Sequence, residues 1–459
     1  MSKKINSKYK YGFSDVIDKV TTIEKGLSIE VIKTISKNKN EPQWMLDIRL
    51  KSYEVFLKLP NPKWGPDLNF INFDDYVYYV KNTDKVANNW DEVPEKIKKT
   101  FEKLKVKEAE AKFLSGVNNQ YDSEAVYNKI QKELKDQGVI FCNIEQALEI
   151  CPEIVKQYFS TLVNYDDNKY AALNTAVWSG GSFIYIPKGV KLDKPLQAYF
   201  RINTRSMGQF ERTLIIVDEG ASLHYIEGCT APIYDKNNLH AAVVEVFVNK
   251  KATCKYTTIQ NWSDNVLNLV TKRCIVQQEA YMEWVDGNIG SKLNMKYPAT
   301  ILNGKYAKAK CISIALAHEG VIHDAGAKMI HMAPYTRSSI LAKSIAHDGG
   351  RADYRGLVEI SKQANNSYAE VSCDTLLLDN KSTSKTIPKE IIKNKTSFIK
   401  HEAKVTQIDK ENLFYLNSKG ISDKQAKNLI SLGFIEPFTS QLPMEYAVEL
   451  NRLLHEDFK

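Results

Sequence analysis

The sequence predicts a mainly β fold: a right-handed β-helix (solenoid) core flanked by N-terminal and C-terminal α-helical regions. Three observations carry the prediction. Short β-branched and aromatic runs, bounded by Gly, Asn, Asp and Lys turns, begin near residue 170 and continue to about 400. These runs recur at a steady interval, with a period of about 28 residues. Before and after them, apolar residues fall at helical spacing. The expected division is 1–155 (helical region), 156–404 (β-helix core) and 405–459 (helical region).

In the first region, PQWMLDIRLKSYEVFLKL (42–59) has helical periodicity and stops before Pro60 and Pro62. DSEAVYNKIQKELKDQG (122–138) reads as a second helix, with Asp122 as N-cap and Gly138 just past its end. PNPKWGPDLNF (60–70) is a connection rich in proline and asparagine.

The core repeat is seen by aligning Ala221-Ser-Leu-His-Tyr with Ala252-Thr-Cys-Lys-Tyr, Ala280-Tyr-Met-Glu-Trp and Ala307-Lys-Ala-Lys-Cys. Each of the four alanines follows a polar turn and opens a strand of alternating character. A weaker copy starts at Thr336, one further period along the chain. A sandwich gives no reason for a steady period, whereas rungs that cannot bury their own apolar face must stack.

From 405 onward, KENLFYLNSKG, SDKQAKNLISLGF and PMEYAVELNRLLHEDF are three amphipathic helices, the second opened by a capping box of Ser422 and Gln425. Their apolar faces require cover from the solenoid, from another protein, or from both.

Composition excludes several functions. A net charge of +8 is spread over scattered lysines, as in KNKN (37–40), which suits solvated faces rather than nucleic-acid binding. MSKKINSKYKYGFSD has no apolar leader, and no apolar run reaches membrane-spanning length, so no membrane insertion and a cytoplasmic, reducing location are expected. Seven cysteines at wide spacing, without a CxxC, argue against a disulfide framework or a zinc ribbon. No GxxxxGK[ST], no strand-linked GxGxxG and no GxSxG is present.

The period gives Cys229, in HYIEGCTAP (224–232), its neighbours: Arg201 stands one period before it, and Gln260 and Asn288 hold matching places in the next rungs. With rungs about 4.8 Å apart, these residues form a polar column in which an arginine favours the thiolate. A core cysteine whose polar neighbours face elsewhere is the competing reading. Cys254 and Cys311 are most simply core residues, and Cys142, Cys151 and Cys274 lack supporting context. His318, His323 and His331 read as turn or surface histidines. Cys373 and His401 are one period apart, and His401 is followed by Glu402. Thiolate, imidazole and carboxylate together can hold iron, although a His-Glu pair is also ordinary surface charge.

Several blocks are long and chemically unusual: NEPQWMLDIRLKS (40–52), AVWSGGSFIYIPKG (176–189), GQFERTLIIVDEGAS (208–222), YIEGCTAP (225–232), YTTIQNW (256–262), CDTLLLD (373–379), HEAKV (401–405) and LPMEYA (442–447). On these the chain resembles the SufB family, the scaffold subunits of the SUF iron–sulfur cluster assembly machinery (SufBCD), over essentially its whole length. The resemblance implies a scaffold rather than an enzyme, with ATP hydrolysis in the partner SufC. Other implied partners are SufD, a cysteine desulfurase with its sulfur-transfer protein, cluster-receiving apo-proteins and a second copy of the chain. It implies that Cys229 accepts sulfane sulfur as a persulfide, and that sulfur passes along a path lined by Arg201, Asn203, Gln260, Trp262 and Lys272. It implies a nascent, transient iron–sulfur cluster at Cys373, Glu402 and His401, near the interface with SufD, and reduced flavin in the complex, although no flavin motif is found. Many members read Glu-His-Glu-Ala where this chain has Lys400-His401-Glu402-Ala403, which excludes position 400 as a ligand. Two alternatives compete: a SufD-like structural partner of SufC without a cluster site, and a β-helix polysaccharide-processing enzyme. The second requires clustered Asp and Glu in a groove and a secretory signal, and the sequence displays neither.

Overall fold

The computed structural model describes residues 21–81, 86–87, 89–103 and 114–440. The amino-terminal MSKKINSKYKYGFSD and the last expected helix, PMEYAVELNRLLHEDF, lie outside the described residues.

Two sheets face each other across one core. The first has ten strands, and eight of them stack in parallel and in chain order: Leu196–Arg201, Ser222–Thr230, Thr253–Trp262, Tyr281–Gly290, Lys308–Ala317, Arg337–Ala346, Tyr368–Leu377 and Phe398–Gln407. The second is built from the return strands of the same rungs, among them Arg212–Val217, Val243–Val248, Val266–Val276, Ala299–Leu302, Lys328–His331, Arg351–Ile360 and Thr386–Ile392. One long strand per period, each paired with the next copy of itself, is a β-solenoid, as the repeat requires.

The turn that opens each rung shows why the period is legible. Ala221, Ala252, Ala280, Ala307, Thr336 and Ser367 are all buried where the chain enters the first sheet. The residue before each has a positive φ: Gly220 (69°), Lys251 (58°), Glu279 (59°), Tyr306 (64°), Tyr335 (60°) and Asn366 (56°). A left-handed residue followed by a small buried one reverses the chain, and the small side chain lets successive turns pack closely. Between the sheets, Tyr225 meets Tyr256 edge-to-face and Tyr256 meets Trp284 at a tilt, with ring centroids 4.9 and 5.2 Å apart.

The amino-terminal region is less helical than its sequence pattern. The helix Gln43–Lys58 forms as expected and stops before Pro60. Its Arg49 is fully buried, paired with Glu41, and donates to the carbonyls of Ala176 (3.1 Å) and Trp178 (2.9 Å). This docks it on the helix Lys169–Val177. The stretch 122–138 is not one helix. Gly116–Tyr121 and Glu124–Ile130 form an antiparallel hairpin that extends the first sheet, and only Lys132–Asp136 is helical. Asp122 is the hairpin turn residue (φ 52°), not an N-cap. Its carboxylate accepts from the Asn203 and Thr204 amides (2.7 and 3.0 Å) and from Thr204 Oγ1 (2.9 Å). Sheet pairing outweighs the helical spacing here, helped by the β-branched and aromatic Val126 and Tyr127.

At the carboxyl end, Lys410–Ser418 and Asp423–Thr439 are helices, and Ser422 with Gln425 forms the capping box. The longer helix lies on the outer face of the first sheet, where Ile430, Leu432, Phe434 and Ile435 pack with Val285, Ile312, Ile314 and Ile345. The shorter leaves Phe414 and Tyr415 exposed. Among the described residues, no helix is long and apolar enough to cross a membrane.

Candidate functional site

Alternation along the first sheet sends every second side chain inward. Following the register from rung to rung gives two interior columns. One runs Glu227, Thr258, Asp286, Ser313, Ala342 and Cys373, and the other Cys229, Gln260, Asn288, Ala315, Ser344 and Thr375. Cys229 and Cys373 therefore face one interior, separated by about five rungs or roughly 24 Å. The columns are polar at the Cys229 end, turn to small Ser and Ala residues in the middle, and end at the last strand, Phe398–Gln407.

Around Cys229 the interior is ionic. Its Sγ lies 3.9 Å from Glu227 Oε1, and Glu227 also accepts from the Tyr256 hydroxyl. From the opposite sheet, Lys272 Nζ lies 2.5 Å from Thr258 Oγ1, 3.6 Å from Asp286 and 3.9 Å from Glu227, and sits 4.4 Å from the Tyr256 ring. Lys296 Nζ donates to Asp286 and to Gln260 Oε1, both at 3.1 Å. Asn268 links Gln260 (2.8 Å) to His240, whose other ring nitrogen is 2.6 Å from Glu211. Trp262 stands against His240, with ring centroids 4.9 Å apart. All these groups are buried, so charge is balanced locally rather than by water.

The ionic surroundings set the protonation states. Burial pushes the Cys229 thiol well above its ordinary pKa, and Glu227 and Glu211 push the same way, while Lys272 and Lys296 oppose them. Burial opposes ionisation of Asp286, but the two ammonium groups outweigh it and hold the carboxyl below its usual range. Burial also disfavours charge on His240, yet Glu211 outweighs it and raises the imidazole pKa.

Two expected path residues stand elsewhere. The register places Phe200, not Arg201, beside Cys229; Arg201 pairs with Thr230 and donates to its Oγ1 at 3.1 Å. The one-residue offset puts Arg201 on the opposite face of the sheet, away from the thiol, and the cations that favour its thiolate are Lys272 and Lys296. Asn203 lies beyond the end of its strand, in the turn held by Asp122. Gln260, Trp262 and Lys272 do line the interior with Cys229. Glu211, Glu227, His240, Asn268, Asp286 and Lys296 belong to the same cluster and were missed by sequence reasoning. Glu227 was findable, since it lies two residues before Cys229 and so shares its face.

At the far end, Cys373 Sγ is 3.3 Å from His401 Nε2 and 3.6 Å from the Glu402 carbonyl oxygen. His401 Nδ1 is 2.5 Å from Oε1 of Glu390, on the strand Thr386–Ile392 of the second sheet. The register partner of Cys373 is Ala403, so His401 reaches it diagonally along the same face. Glu402 pairs with Ser372, and its side chain leaves the opposite face. It does not join Cys373 and His401, and the carboxylate found there is Glu390. Burial, Asp374 and Glu390 push the Cys373 thiol up to about 11. Among the described residues, no group of three or more His, Cys, Asp or Glu is arranged to hold a metal ion.

Two of the three histidines read as turn or surface groups are instead buried. His323 and His331 are buried in strands, bonded to the Leu316 carbonyl (2.9 Å) and to Thr336 and Ser338 (2.7 and 2.9 Å). Burial lowers both to about 4, so they are neutral. His318 lies in a turn, 3.3 Å from Asp264. Cys254, Cys274 and Cys311 are core residues.

The chain is similar to known proteins along most of its length. Residues 76–198 match a family model described as the SufBD protein N-terminal region, and residues 200–434 match one described as the SufBD core domain of SUF system FeS cluster assembly. An iron–sulfur cluster assembly SufBD family protein of Staphylococcus aureus (strain MRSA252) is 57% identical over 97% of this chain and 96% of its own. The iron–sulfur cluster assembly protein SufB of Bacillus subtilis (strain 168) is 56% identical over 99% of this chain and 98% of its own.

Proposed function

The chain belongs to the SufBD family of the SUF system, and from that premise we propose that this scaffold for iron–sulfur cluster assembly takes up sulfane sulfur at Cys229, passes it through the solenoid and uses it at Cys373. One observation carries the reading: both thiols lie on the inward face of one sheet, in two adjacent interior columns that run side by side from rung to rung.

At the entry, the Cys229 thiolate attacks the terminal sulfur of a donor persulfide. A sulfur–sulfur bond forms at Cys229, the donor's own is broken, and the thiol proton leaves on the donor thiolate, with no net oxidation. Lys272 and Lys296 favour the attacking anion against Glu227 and Glu211. Gln260 and Trp262 wall the path, while Arg201 and Asn203 hold the entry rung from outside through Thr230 and Asp122.

The cluster is cargo. At the open end the chain offers Cys373 and His401, two donors where a [2Fe–2S] unit takes four. The missing donors suit a partner docked over the last rung, which is the place for SufD. The exposed Phe414 and Tyr415 of the carboxyl-terminal helices suit the ATPase SufC, which supplies nucleotide hydrolysis. A cysteine desulfurase system supplies sulfur, apo-proteins receive the product, and reduced flavin is a candidate electron source. Seven unpaired thiols suit a reducing cytoplasm.

The test is anaerobic reconstitution with SufC and SufD, read by visible absorption and Mössbauer spectroscopy. Cys373→Ser is expected to abolish the cluster signal. Unchanged absorption would sink the terminal assignment.

A further inference from the structure

We propose that Glu390 is the positioning residue of the terminal site: its carboxylate fixes the ring of His401 so that Nε2 is presented to Cys373. This rests on the reading of Cys373 as the terminal sulfur acceptor and adds to it a residue from the other sheet.

The register makes the arrangement unusual within the fold. The position of His401 is filled in successive earlier rungs by Tyr225, Tyr256, Trp284, Cys311, Ile340 and Val371. The position of Glu390 is filled by Ile215, Val246, Cys274, Thr300, Met329 and Val358. The two positions meet across the core in an earlier rung too, where Trp284 Nε1 donates to Thr300 Oγ1 at 2.9 Å. Only at the open end does one position carry an imidazole and the other a carboxylate, and there they bond to each other at 2.5 Å. A polar end cap accounts for hydrophilic residues in a terminal rung. It does not account for an imidazole clamped at one nitrogen with the other 3.3 Å from a thiol.

The chemistry follows from the donor inventory. An ionised carboxylate at Nδ1 requires that nitrogen to carry its hydrogen, which leaves Nε2 as the lone-pair nitrogen facing sulfur. The Cys373 thiol has two acceptors in reach, Nε2 and the Glu402 carbonyl oxygen. With Glu390 in place, the S–H of Cys373 has the Nε2 lone pair as an acceptor at 3.3 Å. Without it, the ring is free to adopt the other tautomer, whose Nε2–H leaves the thiol only the carbonyl.

The experiment uses the full chain without metal, labelled with ¹⁵N-histidine, and iodoacetamide as the thiol probe, with the Cys373 peptide read by mass spectrometry. Glu390→Gln is expected to change both the His401 ¹⁵N tautomer pattern, from Nδ1–H alone to a mixture, and the rate of Cys373 alkylation. Glu390→Asp should restore part of both. Glu370→Gln, on the outer face of the neighbouring strand and paired with Lys400, should leave both as they were. A His401 ¹⁵N pattern unchanged in Glu390→Gln overturns the proposal whatever the alkylation rate does, because the rate alone also answers to loss of a nearby negative charge. Failure of sulfur from a persulfide donor to reach Cys373 in the unaltered chain would instead sink the acceptor reading, and the Glu390 dependence of alkylation would stand apart from it.

Discussion

Cys229 is held between opposing charges, and its reactivity is set by their balance. Glu227 and Glu211 add to burial in keeping the thiol protonated, and Lys272 and Lys296 pull the other way. Glu227→Gln should therefore speed Cys229 alkylation at fixed pH, about tenfold for each pKa unit recovered, and Lys272→Met should slow it. Equal rates in the two variants would show that access, not ionisation, controls this thiol. The same residues mark how far the sequence could be read. Gln260 falls beside Cys229 by counting one period, and Asn288 beside Gln260 by counting a second, because their rungs hold the register. Counting fails for Arg201 by one residue, and in a strand one residue exchanges the two faces. Glu390 is out of reach of any such count: it belongs to a return strand, and nothing local joins it to His401, eleven residues on.

At the level of the strand and the turn, the small residues of the middle rungs matter as much as the ionic ones. Ser313 and Ala342 lie in register between Asp286 and Cys373. Ala342→Phe should plug the interior there, at about 1–3 kcal/mol of overpacking, so that Cys229 still loads with sulfur while Cys373 does not. Loading of both at the unaltered rate, in a variant with a native circular dichroism spectrum, would place the path elsewhere. The repeat itself is legible because each rung reuses one turn, a left-handed residue before a small buried one. The hairpin of 116–130 is not, because its pairing partner is the strand Leu196–Arg201, far along the chain. Local spacing in 122–138 favours a helix, and only the tertiary partner, with Asp122 holding residues 203 and 204, makes it a strand.

Taken as a whole molecule, the solenoid buries an ionic interior and neutral histidines, and both make its stability depend on pH. His323 and His331 sit near pKa 4 when folded, against about 6.5 in an unfolded chain. Between those values the unfolded chain binds more protons, so stability falls as pH drops from above 6.5 towards 4, by up to about 3 kcal/mol for each histidine. The urea midpoint should be lower at pH 5 than at pH 7, and His331→Asn should flatten the difference. A midpoint independent of pH over that range would contradict the neutral assignment. The central claim, however, concerns transfer through the core, and it is tested most directly by following ³⁴S from labelled cysteine, delivered by a cysteine desulfurase system, onto the Cys229 and Cys373 peptides by mass spectrometry. The unaltered chain should carry label at both cysteines, Cys373→Ser at Cys229 alone, and Cys229→Ser at neither. Label at Cys373 in Cys229→Ser, arriving at the unaltered rate, would contradict the account.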